Sequence, residues 1–227
     1  MTAKVKLVGL TSPSASTDCH TAGDLIAYAA RVSNPANQNN SKTSKKLLKY
    51  LIKEQHWSPF EMVSVTMEIT TTRDISRQII RHRSFSFQEF SQRYAVSESF
   101  STKREARKQH PTNRQLSERD EDKERQSKAQ EVFNEMQGEV ARVAKDYYEM
   151  ALNSGIAKEQ ARALLPEGLT QTTLYMAGSL RSWIHYCELR RGHGTQKEHM
   201  EVADLCWEIL RTHFADICDA VEEMSSE

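Results

Sequence analysis

Between Arg81 and Tyr94 the chain reads Arg-His-Arg-Ser-Phe-Ser-Phe-Gln-Glu-Phe-Ser-Gln-Arg-Tyr. Arg81, His82 and Arg83 stand side by side, and Glu89, Ser91 and Arg93 then alternate with Phe90 and Gln92. In an extended backbone alternate side chains share a face, so Glu89, Ser91 and Arg93 would point together, with Phe90 and Gln92 pointing away. Such a face suits a sugar phosphate. Guanidinium groups grip phosphate oxygens with paired N–H bonds, while Glu and Ser bond hydroxyls or orient the arginines. The same residue types also describe a solvated charged turn, because Arg and Glu are mostly surface residues. Order and spacing have to decide between the two.

The order does more than the composition. Arg81-His82-Arg83, then Ser86, Glu89, Ser91 and Arg93, resembles the signature of flavin-dependent thymidylate synthases, Arg-His-Arg-x-x-Ser-x-x-Glu-x-Ser-x-Arg, at every specified position. Upstream, His56-Trp57-Ser58-Pro59-Phe60-Glu61 is similar to the His-x-Ser/Thr-Pro-Phe-Glu segment of the same family. Taken alone, that stretch is a capped loop, and a lone histidine there is more often structural than functional. Gln78 occupies the glutamine of the family's Arg-Gln-x-x-Arg-His-Arg run. Arg162, set among Ala161, Ala163, Leu164 and Leu165 before Pro166, fits a structural salt bridge or a phosphate contact equally well; the resemblance implies the phosphate. Arg181, His185 and Arg190 match the family's late arginine region, whereas Ser179 stands where asparagine is common. The Gly192-His193-Gly194-Thr195-Gln196 turn also departs from the common version, so the roles of His193 and Gln196 stay open.

The resemblance implies the following site. dUMP would be held by Gln78, Arg81, Glu89, Phe90, Ser91, Gln92, Arg93, Arg162 and Arg190. FAD would be held by His56, Ser58, Glu61, Arg81, His82, Arg83, Glu89, Ser179, Arg181 and His185. The implied activity is reductive methylation of dUMP to dTMP, with 5,10-methylenetetrahydrofolate as carbon donor and FAD reduced by NADPH as hydride source. It also implies a homotetramer whose sites are built from several subunits. No metal is expected.

Methylating a uracil requires C5 to act as a nucleophile, and one route adds a cysteine thiolate at C6. None of Cys19, Cys187, Cys206 and Cys218 has the arginine-rich, ligand-like sequence setting that lowers a thiol pKa. Nor does any local pattern supply Ser91 with a base. The alternative is electrostatic: a fixed guanidinium against N3 and O2 raises electron density at C5. Arg190, at the end of a helical stretch, is the catalytic candidate. A flavin would supply the reductive step, with the protein positioning and polarising.

The composition bounds the alternatives. Lys plus Arg and Asp plus Glu are 31 each, so no global field draws in nucleic acid or an anionic membrane. Hydrophobic content of 38% and a mean hydropathy of −0.68 are low for a self-sufficient monomer and point to a long polar segment, an extended helical surface or an oligomer whose sites are shared. The four cysteines show no close pairing, which argues against a disulfide framework or zinc ribbon and for reduced thiols. No apolar run approaches the ~18–20 residues of a membrane span, and the N-terminus lacks a signal-peptide core. The expectation is a cytoplasmic enzyme with small-molecule substrates, its partners further copies of itself rather than nucleic acid or membrane. A nucleic-acid module or a purely structural helical assembly would also use these arginines; flavin colour separates them from the enzyme.

The positioning elements follow from periodicity. Val5 to Gly9 and Val63 to Thr70 alternate as strands. Helices are predicted from Asp24 towards Ser33, after Thr43 as N-cap, and from Arg73 to Arg83 with Ile75, Ile79 and Ile80 inward. Residues 101–129, carrying Lys103, Arg104, Arg107 and Lys108 and then Glu118 to Glu124, are expected to be a solvated, mobile loop. Val132, Met136, Val140, Val143, Tyr147 and Met150 recur at three and four, a long helix ended by Asn153-Ser154-Gly155. Short helical residues 158–165, a helix from about Leu169 to Arg190, which would set Gly178, Arg181 and His185 on one stripe, and a last helix from Thr195 to about Val221 complete the reading. The fold class expected is α+β: one domain over residues 1–227, with a central antiparallel sheet flanked by long helices and a helix-rich second half.

Overall fold

The computed structural model describes residues 3–97, 99–101, 104–192 and 194–225; Lys103 and His193 lie outside these. Strand β1 (Lys4–Leu10) opens the chain. Helix α1 (Ala22–Ala30) starts at Thr21, whose hydroxyl accepts from the Asp24 N–H while the Asp24 carboxylate accepts from that of Thr21, a reciprocal cap. Helix α2 (Ser44–Lys53) buries Leu48, Leu51 and Ile52, as its spacing predicts. Thr43 does not cap it. Its hydroxyl accepts instead from Arg31 Nη2 at 2.8 Å, tying the end of α1 to the start of α2. Strand β2 (Ser64–Thr72) buries Val65, Met67 and Ile69 and runs straight into helix α3 (Arg73–Ile79).

Strand β3 (Ser86–Glu89) carries the first half of the arginine motif. A two-stranded ribbon, β4 (Lys108–Gln109) and β5 (Ser117–Glu118), precedes the 31-residue helix α4 (Lys123–Asn153). Then come helix α5 (Lys158–Ala161), strand β6 (Gln171–Ser179) and helices α6 (Leu180–Arg191), α7 (Lys197–His213) and α8 (Ala215–Ser225). The sheet order is β1-β2-β6-β3 and every pairing is antiparallel, in keeping with the expected class. Side chains from β2, β6, α6, α7 and α8 share one apolar core. Among the described residues no helix is long and apolar enough to cross a membrane.

Several expectations are overturned. The predicted helix from Leu169 is strand as far as Ser179: Thr172, Leu174 and Met176 are buried and alternate with more exposed neighbours, a period of two. Wedged between β2 and β3, this segment satisfies its backbone groups on both sides, which an isolated helix pattern cannot reveal. Gly178 therefore shares no helical stripe with Arg181 and His185. The predicted helix from Arg73 to Arg83 ends at Ile79, where the His82 N–H bonds back to the Ile79 carbonyl (3.1 Å) and the chain turns. The last predicted helix breaks at Phe214 into α7 and α8, with Phe214 packed into the core.

Residues 101–129, over their described length, are not simply a solvated loop: they include the β4–β5 ribbon and the first turns of α4. Arg104 pairs with Asp74, Gln130 and Gln137 bond the backbone around it, and helix begins at Lys123. In α4 the buried side chains are Gln137, Ala141, Ala144, Tyr148 and Ala151. The apolar stripe of Val132, Met136, Val140, Tyr147 and Met150 faces outward, 41–59% exposed.

Gly178 matters for a different reason. A Cβ there would lie 2.5 Å from Phe85 Cδ1 and 2.7 Å from Cε1. Phe85 cannot step aside, since its ring is buried edge-on to Trp183 at 5.0 Å and packs against Tyr186 and Phe87. Gly178→Ala should therefore cost about 1–3 kcal/mol in urea unfolding, and it should displace the arginine motif that Phe85 anchors. A variant as stable as the parent would show that the ring is free to move.

Candidate functional site

Helix α6 is the spine of the site, and three contacts seat it. Ser179 caps it, its Oγ accepting from the Ser182 N–H at 3.3 Å. Trp183, fully buried, donates from Nε1 to the Val65 carbonyl of β2 at 3.0 Å. Phe85 closes over Gly178 and against Trp183 and Tyr186.

At the N-terminal end of α6, Arg181 pairs with the Glu61 carboxylate. The His185 ring stands edge-on to Trp57, centroids 4.8 Å apart. Burial, and secondarily Arg181, lowers the His185 pKa against the opposing pull of Glu188. Glu61, Ser179, Arg181 and His185 thus come from two distant segments to one place. The spacing of the sequence did not single out Trp57 as part of it. His56 and Ser58 are exposed on the same segment, His56 edge-on to Tyr50 at 6.4 Å. Arg81 and Arg83 are exposed and form no ion pair among the described residues.

At the other end, Arg190 Nε donates to His82 Nε2 at 2.9 Å, and the His82 ring stands edge-on to Tyr186. Tyr186 in turn pairs with the fully buried His199, Oη to Nε2 at 3.1 Å. His199 Nδ1 lies 3.4 Å from Gln78 Oε1, and Gln78 Nε2 donates to Gln196 Oε1 at 2.7 Å. Both histidines are held neutral. Burial, reinforced by the Arg190 cation, pushes His82 down to about 4; burial, then Arg190 and His82, pushes His199 to about 3. Gln78, His82 and Arg190, scattered in sequence, are brought together here. Tyr186, Gln196 and His199 join them; the sequence carried no signal for Tyr186 or His199 beyond polar residues at helical spacing.

A third group gathers where α3 meets β3. Glu89 Oε1 accepts from Ser76 Oγ (2.8 Å) and Thr172 Oγ1 (2.9 Å), with Arg73 3.7 Å away and Arg77 3.4 Å from Oε2. Arg73 is buried, and its Nη1 has no hydrogen-bond partner. Burial lowers its pKa, opposed by Glu89, while the cations of Arg77 and Arg162 press the same way as burial. Arg73 and Arg77 thus converge on Glu89, and Glu167, 3.5 Å from Arg77 Nε, is a second carboxylate beside them. Helix spacing alone, Arg73 and Arg77 four apart on α3, could have exposed the pair.

The second half of the motif departs from the extended reading. The Phe90 N–H still bonds Thr173 on β6, but the N–H groups of Tyr94 and Ala95 fold back onto the Ser91 carbonyl. Glu89, Ser91 and Arg93 consequently do not share one face. Arg93 pairs instead with Glu159 (3.1 Å), and Arg162 Nε donates to the Glu159 carbonyl at 3.2 Å, so Arg93 and Arg162 meet at α5. Gln92 is buried and bonds Ser97 Oγ at 3.0 Å. Phe90 and Ser91 are exposed.

The chain has clear likenesses. A family profile described as thymidylate synthase complementing protein matches residues 17–214. The probable flavin-dependent thymidylate synthase of Paramecium bursaria Chlorella virus 1 is 46% identical over 217 residues, 96% of this chain and 98% of that one. The flavin-dependent thymidylate synthase of a Synechocystis strain is 47% identical over 220 residues, 96% of this chain and 99% of that one. Among solved structures, a UMP/dUMP methylase, PolB of Streptomyces cacaoi bound with 5-Br dUMP, superposes with a TM-score of 0.79 at 26% identity, covering 97% of this chain and 95% of that one.

The neutral histidines give stability a pH dependence of definite sign. In the unfolded chain they titrate near the ordinary 6.5, in the folded chain near 4 and 3. Below pH 6.5 the unfolded chain binds more protons, so this stabilisation is complete above 6.5 and is lost as the pH falls through 4. His199→Asn, which removes one titrating ring, should flatten the decline in urea midpoint between pH 7 and 4. Parallel declines for parent and variant would exclude His199 as a contributor.

Proposed function

From a chain that belongs to the flavin-dependent thymidylate synthase family, we infer reductive methylation of dUMP to dTMP, with 5,10-methylenetetrahydrofolate as carbon donor and NADPH as reductant. FAD is the cofactor, and it supplies the hydride when bound. The working unit we propose is a cytoplasmic homotetramer with shared sites. The outward apolar stripe of α4 supports that reading, since a second subunit would cover it.

The residues present fit the cofactor. The exposed Arg81 and Arg83 supply guanidinium donors for a pyrophosphate, and Arg181 stands by the Trp57–His185 corner, which offers aromatic edges for a flat ring. In this reading His56, Ser58, Glu61, His82, Glu89 and Ser179 complete the FAD set. Arg93 and Arg162, meeting at α5, take the nucleotide phosphate, and the backbone from Glu89 to Arg93 takes the sugar, with Phe90, Ser91 and Gln92 shaping that turn. Gln78 and Arg190 take the base, with Arg81 close by in sequence.

The observation that carries the reading is the grip on Arg190. Its Nε is committed to a neutral His82, which accepts the bond without competing for charge. The two Nη groups can then lie along N3 and O2 of a uracil, where a fixed cation stabilises developing negative charge and enriches C5. Thiolate attack at C6 has no provider in this group. Cys187, Cys206 and Cys218 are buried and held as thiols, Cys218 pushed up to about 12 by burial. Cys19 lines a crevice with Asp18 and Asp24.

Tritium release from C5-labelled dUMP, measured with FAD, methylenetetrahydrofolate and NADPH, tests the activity. Arg190→Ala should keep the flavin spectrum and lose about 10²–10³-fold in turnover, the loss typical when one charge-stabilising donor is removed. Undiminished turnover would refute its role. Arg93→Lys loses the planar fork and should raise the KM for dUMP about tenfold. A colourless protein that takes up no added FAD and releases no tritium would sink the reading as a whole.

A further inference from the structure

Around Gln78 the hydrogen bonds have only one consistent direction. Glu198 is the fixed point: Arg107 Nη2 bonds both its oxygens, at 2.7 and 2.8 Å. Burial works against its charge, but hydrogen bonds from Gln196 and Arg107 hold the carboxyl below its ordinary range. An ionised carboxylate only accepts. Gln196 must therefore aim its NH₂ at Glu198, which it does at 2.9 Å, and this turns its Oε1 towards Gln78.

The constraint passes on. Gln78 has to present its NH₂ to Gln196 Oε1, which turns Gln78 Oε1 to His199 Nδ1. That nitrogen must then carry the ring's proton. A neutral ring leaves Nε2 as acceptor, and Tyr186, whose hydroxyl proton burial makes hard to remove, donates to it. Five groups agree in polarity from one carboxylate to one phenol. The second amide hydrogen of Gln78 has no acceptor among the described residues.

We propose that the relay Glu198–Gln196–Gln78–His199–Tyr186 locks the Gln78 amide as a donor toward the pyrimidine, and so selects a C4 carbonyl over a C4 amino group. With Arg190 assigned to the O2 side of the ring, the C4 side is left to Gln78; this rests on the base contact assigned above. A uracil accepts the bond. A cytosine would set an amino group against an N–H, and the amide cannot flip to oblige it without breaking its bonds to Gln196 and His199. Glu198, Gln196, His199 and Tyr186 are thus positioning residues that set the base choice.

The test is calorimetric titration of the flavin-loaded full-length protein with dUMP and with dCMP. The parent should prefer dUMP by at least about a hundredfold. Glu198→Gln removes the acceptor-only anchor, so the amides can reverse; the preference should fall about tenfold or more, with flavin content unchanged. Glu198→Asp, which keeps a carboxylate, should restore most of it. His199→Phe, breaking the relay from the other end, should also lower the preference, and serves if a position-198 variant fails to fold. A parent that does not discriminate, or a preference unchanged in Glu198→Gln and His199→Phe, would overturn the relay. Gln78→Ala separates the two levels of argument: if it binds dUMP as tightly as the parent, the base contact itself is wrong.

Discussion

The site depends on how α6 leaves the sheet. One strand, β6, delivers the helix at a fixed angle, and the Trp183 bond to Val65 holds it against the neighbouring strand. Because Phe85 needs the space of a missing side chain at Gly178, the loop that carries Arg81 to Arg83 is pressed onto the same helix. Both ends of α6 then have a defined environment: Glu61 and Trp57 at the first turn, His82 and Tyr186 at the last. A helix is a stiff carrier, so side chains at its two ends hold a constant separation. Groups on loops alone would not.

Charge is handled in two contrasting ways around this helix. On the α3–β3 side, guanidinium groups crowd together and a half-buried carboxylate, Glu89, restrains them. Their mutual repulsion favours an anion, the chemistry a phosphate supplies. Beside Arg190 the neighbours are instead two imidazoles stripped of charge by burial and by Arg190 itself. A single cation among neutral hydrogen-bonding groups polarises an uncharged ring more effectively than one already matched by a carboxylate.

Much of this was legible in the residues. Local patterns set β1, β2, α1 and α2, where one alternation or one amphipathic face decides the element. The arginine motif was legible as order, not as shape: strand pairing with β6 ends near Glu89 and Phe90, and the turn at Ser91 sends Arg93 to Glu159. β6 was misread because Leu174, Ala177 and Leu180 also satisfy a helical period, and only its two flanking strands make a sheet position favourable. Tyr186 and His199 were missed since their roles come from a contact across more than ten residues of chain and from burial, neither of which spacing encodes.

The polar stretch before α4 shows the same limit from another side. Opposite charges packed closely in sequence look solvated, and composition alone favours that view. Here their partners are remote. Arg104 reaches Asp74 on α3, and Arg107 reaches Glu198 on α7. Glu105, against the cost of its own burial, collects Lys197, Arg119 and Arg107, and those bonds hold its carboxyl at about 2. These pairs join the helix that carries Gln78 to the one that carries His199, with Gln196 immediately before it. A segment with almost no apolar residues can therefore be held by ion pairs together with amide side chains that bond its backbone, provided each ion finds its counter-ion partly sheltered from water, where the attraction is least screened. Against the cost of that sheltering, the bonds from Arg107 and Gln196 keep Glu198 an anion, and the direction of every hydrogen bond around Gln78 follows from it.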